Sequence, residues 1–507
     1  MRHGNLAQYT AAPKRLRAAP LAAALALHFC ASATAATISV NDSSAGSVVG
    51  KCTLSDAVTA LNTVAAVNGC SAGNGSNDTI DLTAFATPTT ITFALPSATD
   101  GNSALALTKP ATIRAALDGS GQPLVTLTRS IVTGTPTFRL LATSADLTLR
   151  GLILSNGLSP DRGGAVYASA YANLVVASST ISGNTATTSG GGIATDCGNV
   201  TLTLSVVDGN NASKNGGGIY GANHLMMAGV PCSSKITFDR SDVSNNIAST
   251  NSGGGVYSFY GSIYADHASI NGNHAGGRAG GGVYAFNNVT VSYSTVAGNT
   301  AVYGGGGLVG QYVTVRGTTI ANNYATMTAG GIGSRRAVLI DSTLYHNGTN
   351  GYGGALNAPS VAILFSTISG NYSTATSDPI GGVRFGSYAL LIGSIVEGNN
   401  GENIHGNTDV MGNHNIIGPT LPEQVLPADT VNCDPHLGAL ANNGGPTQTQ
   451  QPAAGSCAID AGPTAAAGYI PSDQRGPAFA RKVGASTDIG AFEVQGNDRV
   501  FYDGFGL

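Results

Sequence analysis

A polar pair stands seven and six residues ahead of a recurring asparagine: Asp239/Arg240, Asp266/His267, Ser292/Tyr293, Arg316/Gly317 and Ile340/Asp341. Carboxylates, an imidazole and a guanidinium are what β-elimination or hydrolysis of an acidic sugar polymer needs. The acids shuttle protons or hold a cation, the base works near neutrality, and arginine receives the substrate carboxylate. Asp239, Asp266, His267, Arg316 and Asp341 are therefore the candidate catalytic residues. The same pattern reads equally as a solvated face on which scarce charges keep a stack soluble and unpaired. A second set, Tyr167, Tyr220, Tyr257 and Tyr284, follows the aliphatic after each glycine cluster. Pointing outward on successive coils, these rings would form a ladder for sugars or a partner protein, or simply brace a sheet. No cofactor or metal is expected, because His224, His267, His274, His346, His405, His414 and His436 occupy different registers. The spacing of His405 and His414 relative to Glu402 and Asp409 fits no helical metal motif.

What positions these residues is a repeat. Its clearest copy runs from Ser179 through Ile181 to Asn184, then to Gly190, Gly191, Gly192 and Ile193. The anchoring asparagine returns as Asn210, Asn246, Asn273, Asn299, Asn323, Asn347, Asn371 and Asn399, with a forerunner at Asn156. A period in the mid-twenties signals a stacked solenoid. Aliphatics alternate ahead of each anchor, as in Leu174/Val176, Val200/Leu202, Ile236/Phe238 and Val289/Val291, and period two means strand. Each repeat reads as one coil of short strands joined by a small-residue corner, an asparagine corner and a glycine-rich corner. Parallel stacking at about 4.8 Å would set the asparagines in a hydrogen-bonded file. The expected fold is all-β, a parallel β-helix (solenoid) over residues 83–425, regular over 152–400, with a short N-terminal capping helix in residues 37–82. Thr53 can N-cap that helix with Asp56 three places on, and Leu54, Ala57, Val58 and Leu61 make its apolar face.

Charged residues are only 10% of the chain, glycine reaches 71 and tryptophan is absent. The 42% hydrophobic content argues against disorder, and a net charge of −4 offers no basic footprint for nucleic acid. Residues 1–36 read as a cleaved export signal: Lys14, Arg15 and Arg17, an apolar run from Ala18 to Cys30, and a small-residue site at Ala33 to Ala35. That run is too short to cross a bilayer, so no transmembrane segment is expected in the mature chain. Export makes the cysteines disulfide candidates, and nearest neighbours suggest Cys52–Cys70, Cys197–Cys232 and Cys433–Cys457, one of fifteen connectivities.

Three stretches resemble known families. Cys52-Thr-Leu-Ser-Asp-Ala-Val58, followed by Asn77-Asp-Thr-Ile-Asp-Leu82, is similar to the Cys-Ser-Leu-Arg-Glu-Ala motif domain that opens many secreted bacterial β-helix proteins, with Ser55 and Asp56 in place of its Arg-Glu pair. The central Asn-x-Ala and Gly-Gly-[Gly/Ala]-[Ile/Leu/Val] repeats resemble the polymorphic outer-membrane proteins, which implies a right-handed parallel β-helix displayed outside the cell. About 100 residues follow the last coil, too few for that family's membrane barrel. Residues 426–495 contain Asp434-Pro-His-Leu-Gly438, Ala458-Ile-Asp-Ala-Gly462, Asp473-Gln-Arg-Gly476 and Asp488-Ile-Gly-Ala-Phe-Glu493. In that order they resemble the choice-of-anchor Q domain, which implies a C-terminal module preceding an anchoring signal and carries no catalysis. The module would seal the stack, and residues 496–507 would hold a sorting tag. Asn407-Thr408-Asp409 has the tripeptide of the polygalacturonases, whose other motifs are absent. The glycine clusters likewise lack the aspartates of calcium-binding repeats.

These readings converge on an exported monomer at the bacterial cell surface or outer membrane. It would be an adhesive or structural display scaffold whose partner is a cell-surface polysaccharide or a host or neighbour surface. The alternative is a polysaccharide lyase or glycoside hydrolase using the Asp/Arg column. A groove of converging carboxylates would favour the enzyme.

Overall fold

The computed structural model describes residues 34–169, 171–222, 233–463 and 470–496. The leader and tail expectations fall almost wholly outside them. Residues from Ala35 onward form one compact unit.

Alternation decides which side chains enter the core. Leu174, Val176, Ile181 and Ile193 are wholly buried, as are Val200, Leu202, Val207 and Ile219 one coil later. Leu174 pairs with Val200, then Ile236, Ile263, Val289 and Val313, always in parallel. Among the described residues the strands gather into sheets of 22, 13 and 9 members. The 22-stranded sheet contains two of the expected strand columns. Loops such as Phe259–Gly261 separate them in the earlier coils. Later coils lack the insertion, so the columns fuse into single strands: Leu308–Arg316, Ile332–Ile340 and Leu356–Leu364.

Each coil turns its first corner through one left-handed residue. Leu204, Arg240, His267, Tyr293, Gly317, Asp341, Phe365 and Gly393 all have φ between 45° and 57°. For a non-glycine residue this conformation costs about 1–2 kcal/mol. Donation to the next coil offsets it: the Arg240 amide meets the Asp266 carbonyl, His267 that of Ser292 and Asp341 that of Leu364. The polar pairs read from the sequence therefore straddle a corner.

The asparagines stack at the second corner, where the backbone N–H and Nδ2 of Asn184 both donate to Oδ1 of Asn210 at 3.0 Å. The same clamp repeats from Asn210 to Asn246 and on to Asn371 and Asn399. Each Nδ2 also reaches a main-chain carbonyl, as from Asn210 to Ile181 at 2.9 Å. Asn156 does not belong to this file. Register places it opposite Gly183, and Gly157 is the residue that donates to Asn184 Oδ1. Asn156 is instead an exposed left-handed corner residue with φ 58°. The file continues beyond Asn399 to Asn403, which the regular spacing hides because only three residues intervene.

Helix α1 (Leu54–Thr63) covers the first strand edge. Thr53 Oγ1 accepts the Asp56 amide at 3.2 Å, and Asn62 bonds Ala106 and Thr108 of the edge at 2.7 and 2.8 Å. The Cys52–Cys70 disulfide staples the helix down. Cys433–Cys457 is also formed, and Cys197 is disulfide-bonded, its expected partner Cys232 lying outside the described residues. At the far end it is residues 419–431 that close the last coil, through Pro419, Val425 and Val431. Of the module expected at residues 426–495 to seal the stack, the first residues as far as Val431 lie on the last coil, and the segment from Cys433 onward does not seal it. It runs back along the flank of the last coils, because outward threonines offer it partners there. Thr319 donates to the Gln448 carbonyl, Thr343 to Gln474 Oε1, and Thr367 Oγ1 accepts the Ala491 amide.

Candidate functional site

The strand register brings Asp239 and Asp266 onto adjacent rungs, with Ser292 and then Arg316 beyond them. Each acid is engaged by its own neighbour across the corner. Arg240 Nη2 meets Asp239 at 2.8 Å, and His267 Nδ1 meets Asp266 at 2.9 Å. The Asp266–His267 pair is about half exposed, and Tyr293 stacks on the imidazole at 5.3 Å between centroids. Arg316 lies two rungs from Asp266, so at about 4.8 Å per rung it stands roughly 10 Å away. The column thus holds two separate polar pairs with a distant arginine, not one converging constellation.

Asp341 is not on an open face. It is buried beneath the C-terminal segment, where Arg481 Nη2 donates to its Oδ1 at 2.5 Å. Burial pushes the Asp341 carboxyl up, to about 6, against the pull of Arg481 and Arg316. A carboxylate enclosed this way is a docking element. The flank around it comes from the Asp473-Gln-Arg-Gly476 stretch. Gln474 Nε2 reaches Thr319 at 3.0 Å while its Oε1 accepts from Thr343 at 2.6 Å, bridging two coils. Arg475 lies between the rings of Phe479 and Phe492 at 4.0 and 3.7 Å and pairs with buried Asp473 at 2.7 Å. Deeper in the segment both Glu493 oxygens accept amides, from Val483 and Asp488, and burial raises this carboxyl to about 8.

The tyrosines occupy the outward column of the glycine-rich strand. Tyr220, Tyr257 and Tyr284 pair on adjacent rungs and stack at 5.6 and 5.2 Å. Ring faces are consumed by this stacking, and burial between its neighbours raises the Tyr257 hydroxyl pKa. Tyr167 is not on the next coil. Ala194 stands between it and Tyr220, and Tyr167 bonds Asp196, which Arg162 also engages at 2.8 Å. Arg162 then lies over Tyr220 at 5.7 Å and closes that end of the ladder.

The other end of the ladder opens. After Tyr284 the outward column continues as Val309, Gly333, Asn357 and Arg384. With no side chain at Gly333, two adjoining depressions of about 370 and 530 Å³ share Val309, Gly333 and Ser334. Phe286, Gln311 and Arg335 line the first, and Tyr303, Asn357 and Arg384 the second. None of Asp239, Asp266, His267, Arg316 or Asp341 lines either. The sequence held one overlooked sign, since Arg335-Arg336 is its only Arg-Arg dipeptide. Gly333 itself carries no local mark among 71 glycines.

With this geometry in place, the chain matches the family described as Right handed beta helix region over residues 115–301. That span includes the tyrosine ladder and the asparagine file from Asn184 to Asn299, and with the parallel coils it makes the protein a right-handed parallel β-helix. Neither a curated protein nor a solved structure matches the chain.

Proposed function

We propose that this right-handed parallel β-helix is an exported, surface-associated binding scaffold with an adhesive or display role. One observation carries the reading: the outward column of the glycine-rich strand loses its side chain at Gly333 and opens two adjoining depressions on an otherwise filled face. Ligand sites are concave, mainly apolar and furnished with a few polar groups. Phe286 and Tyr303 supply exposed apolar surface, and Gln311 and Asn357 supply polar groups. The stack of coils beneath makes the face rigid, which lowers the entropic cost of capture.

A polysaccharide lyase or glycoside hydrolase remains the second reading, and the half-exposed Asp266–His267 pair is what favours it. The two separate in one experiment. The purified protein is passed over immobilised acidic and neutral polysaccharides, with retention and release of soluble fragments scored apart. Retention without fragments is expected. Fragment release that disappears in Asp266→Ala would overturn the scaffold reading. Surface placement is tested by adding protease to intact cells, where complete protection of the chain would sink it.

A further inference from the structure

Resting on the binding-scaffold reading, we infer that the Gly333 depressions form a subsite for an anionic polysaccharide running along the solenoid axis. Arg335 and Arg384 meet its acid groups, and Phe286 and Tyr303 meet its sugar rings. Charge carries the choice of ligand. Acidic residues outnumber Lys and Arg in this chain, 27 to 23, yet every charged residue lining the two depressions is an arginine. Arg336 is exposed beside Arg335, and Arg278 is close enough to Tyr257 to act on its hydroxyl. Guanidinium groups suit carboxylate and sulfate because their fork offers paired donors.

Spacing carries the choice of a polymer. One strand (Leu356–Leu364) separates those that bear Arg335 and Arg384, so the two cations sit two rungs apart, about 10 Å along the axis. A chain with an acid group at regular intervals addresses both, whereas a single anion addresses one. Arg384 is held for this by Tyr352, whose ring lies 5.2 Å from its guanidinium. The apolar half of the site is also present, with Phe286 46% and Tyr303 54% exposed beside the cations. Sugar rings offer a C–H face to such aromatics and hydroxyls to Gln311 and Asn357.

The test compares retention of the purified protein on polygalacturonate, dextran sulfate and uncharged dextran as NaCl is raised, with double-stranded DNA as a competing polyanion. Retention on the acidic polymers, lost with salt and absent on dextran, is expected. Polygalacturonate against dextran sulfate tells whether carboxylate or sulfate is preferred. Arg335→Gln and Arg384→Gln should each weaken retention about tenfold, the loss of one charge-assisted contact. Gly333→Leu should weaken it as well without lowering the melting temperature. A Cβ there meets its nearest atoms at 3.5 Å, ordinary contact, so the side chain fills the hollow rather than straining the coil. Equal retention on dextran, with the arginine variants unchanged, would overturn the anionic assignment and leave the scaffold reading standing. No retention on any polymer would overturn both. Salt-sensitive retention untouched by all three variants, or equal competition by DNA, would also overturn the inference.

Discussion

Arg481 donates to Asp341 across 140 residues of sequence, and both side chains are buried where the C-terminal segment meets the flank of the solenoid. The same guanidinium donates to the Gly490 and Ala491 carbonyls at 3.0 and 3.2 Å, so one side chain ties the segment to itself and to the coils. Removing one partner of such a pair leaves an uncompensated buried charge. Arg481→Met should destabilise the docked segment by about 3–5 kcal/mol. Pulse proteolysis should then cut residues 433–496 while the coils resist. The double variant Arg481→Met/Asp341→Leu should recover much of the loss, and a double variant no better than the single would argue against burial as the cause.

Acidity should strengthen the same junction. Folding raises Asp341 to about 6 and Glu493 to about 8, and raises Asp488 as well, each chiefly through burial. Unfolded carboxyls release their protons near pH 4, so above that the folded form binds more protons than the unfolded one. The contribution is full at low pH and is lost as pH rises through the folded values. Melting temperature should fall between about pH 4.5 and 8, and Glu493→Gln should flatten the upper part of that fall. An unchanged slope in the variant would remove Glu493 from the explanation.

The amide file predicts a sharp contrast between two asparagines. Asn299 donates twice to Asn323 and once to Ile270, and it accepts from Asn273. Asn299→Ala strands several buried polar groups and should cost about 3 kcal/mol or more, at about 1–3 kcal/mol for each group left unsatisfied. Asn156 stands outside the file with a left-handed backbone. Asn156→Gly should change stability by less than about 0.5 kcal/mol, because glycine accepts that conformation freely. Urea denaturation of the two variants decides the matter.

Two glycines, one in the corner before a strand and one inside the equivalent strand, should also part company. A Cβ on Gly191 would lie 2.3 Å from the Gly217 carbonyl oxygen, a backbone atom that cannot retreat, whereas Gly333 has ordinary room. Gly191→Ala should lower the yield of folded protein and cost several kcal/mol, about the size of an overpacked core or more. Gly333→Ala should be silent in thermal unfolding.

Much of the scaffold was legible because a solenoid turns sequence period into spatial neighbourhood. Residues one repeat apart become hydrogen-bonded partners, so Leu174 and Val200, or Asn184 and Asn210, declare their contact by spacing alone. Legibility failed where the period was locally broken. The corner at Asn156 precedes the file by one residue, and the loop before Asn403 is too short to look like a coil. Tyr167 shares the aromatic identity of the ladder but stands two coils from Tyr220, with Ala194 between them.

Sequence alone, then, determined which side chains face the core, which turn the corners and which form vertical files, since those follow from strand alternation and a repeat in the mid-twenties. Only the tertiary structure decided that Asp341 is a buried anchor, that the C-terminal segment lies along the flank, and that a missing side chain at Gly333 opens a face lined by Arg335 and Arg384. The reason is physical. Contacts between coils recur with the period, but those made by Arg481 or Gln474 join a repeating surface to a non-repeating segment 131 to 155 residues away. No spacing rule connects the two, and only burial and hydrogen-bond partners in three dimensions reveal them.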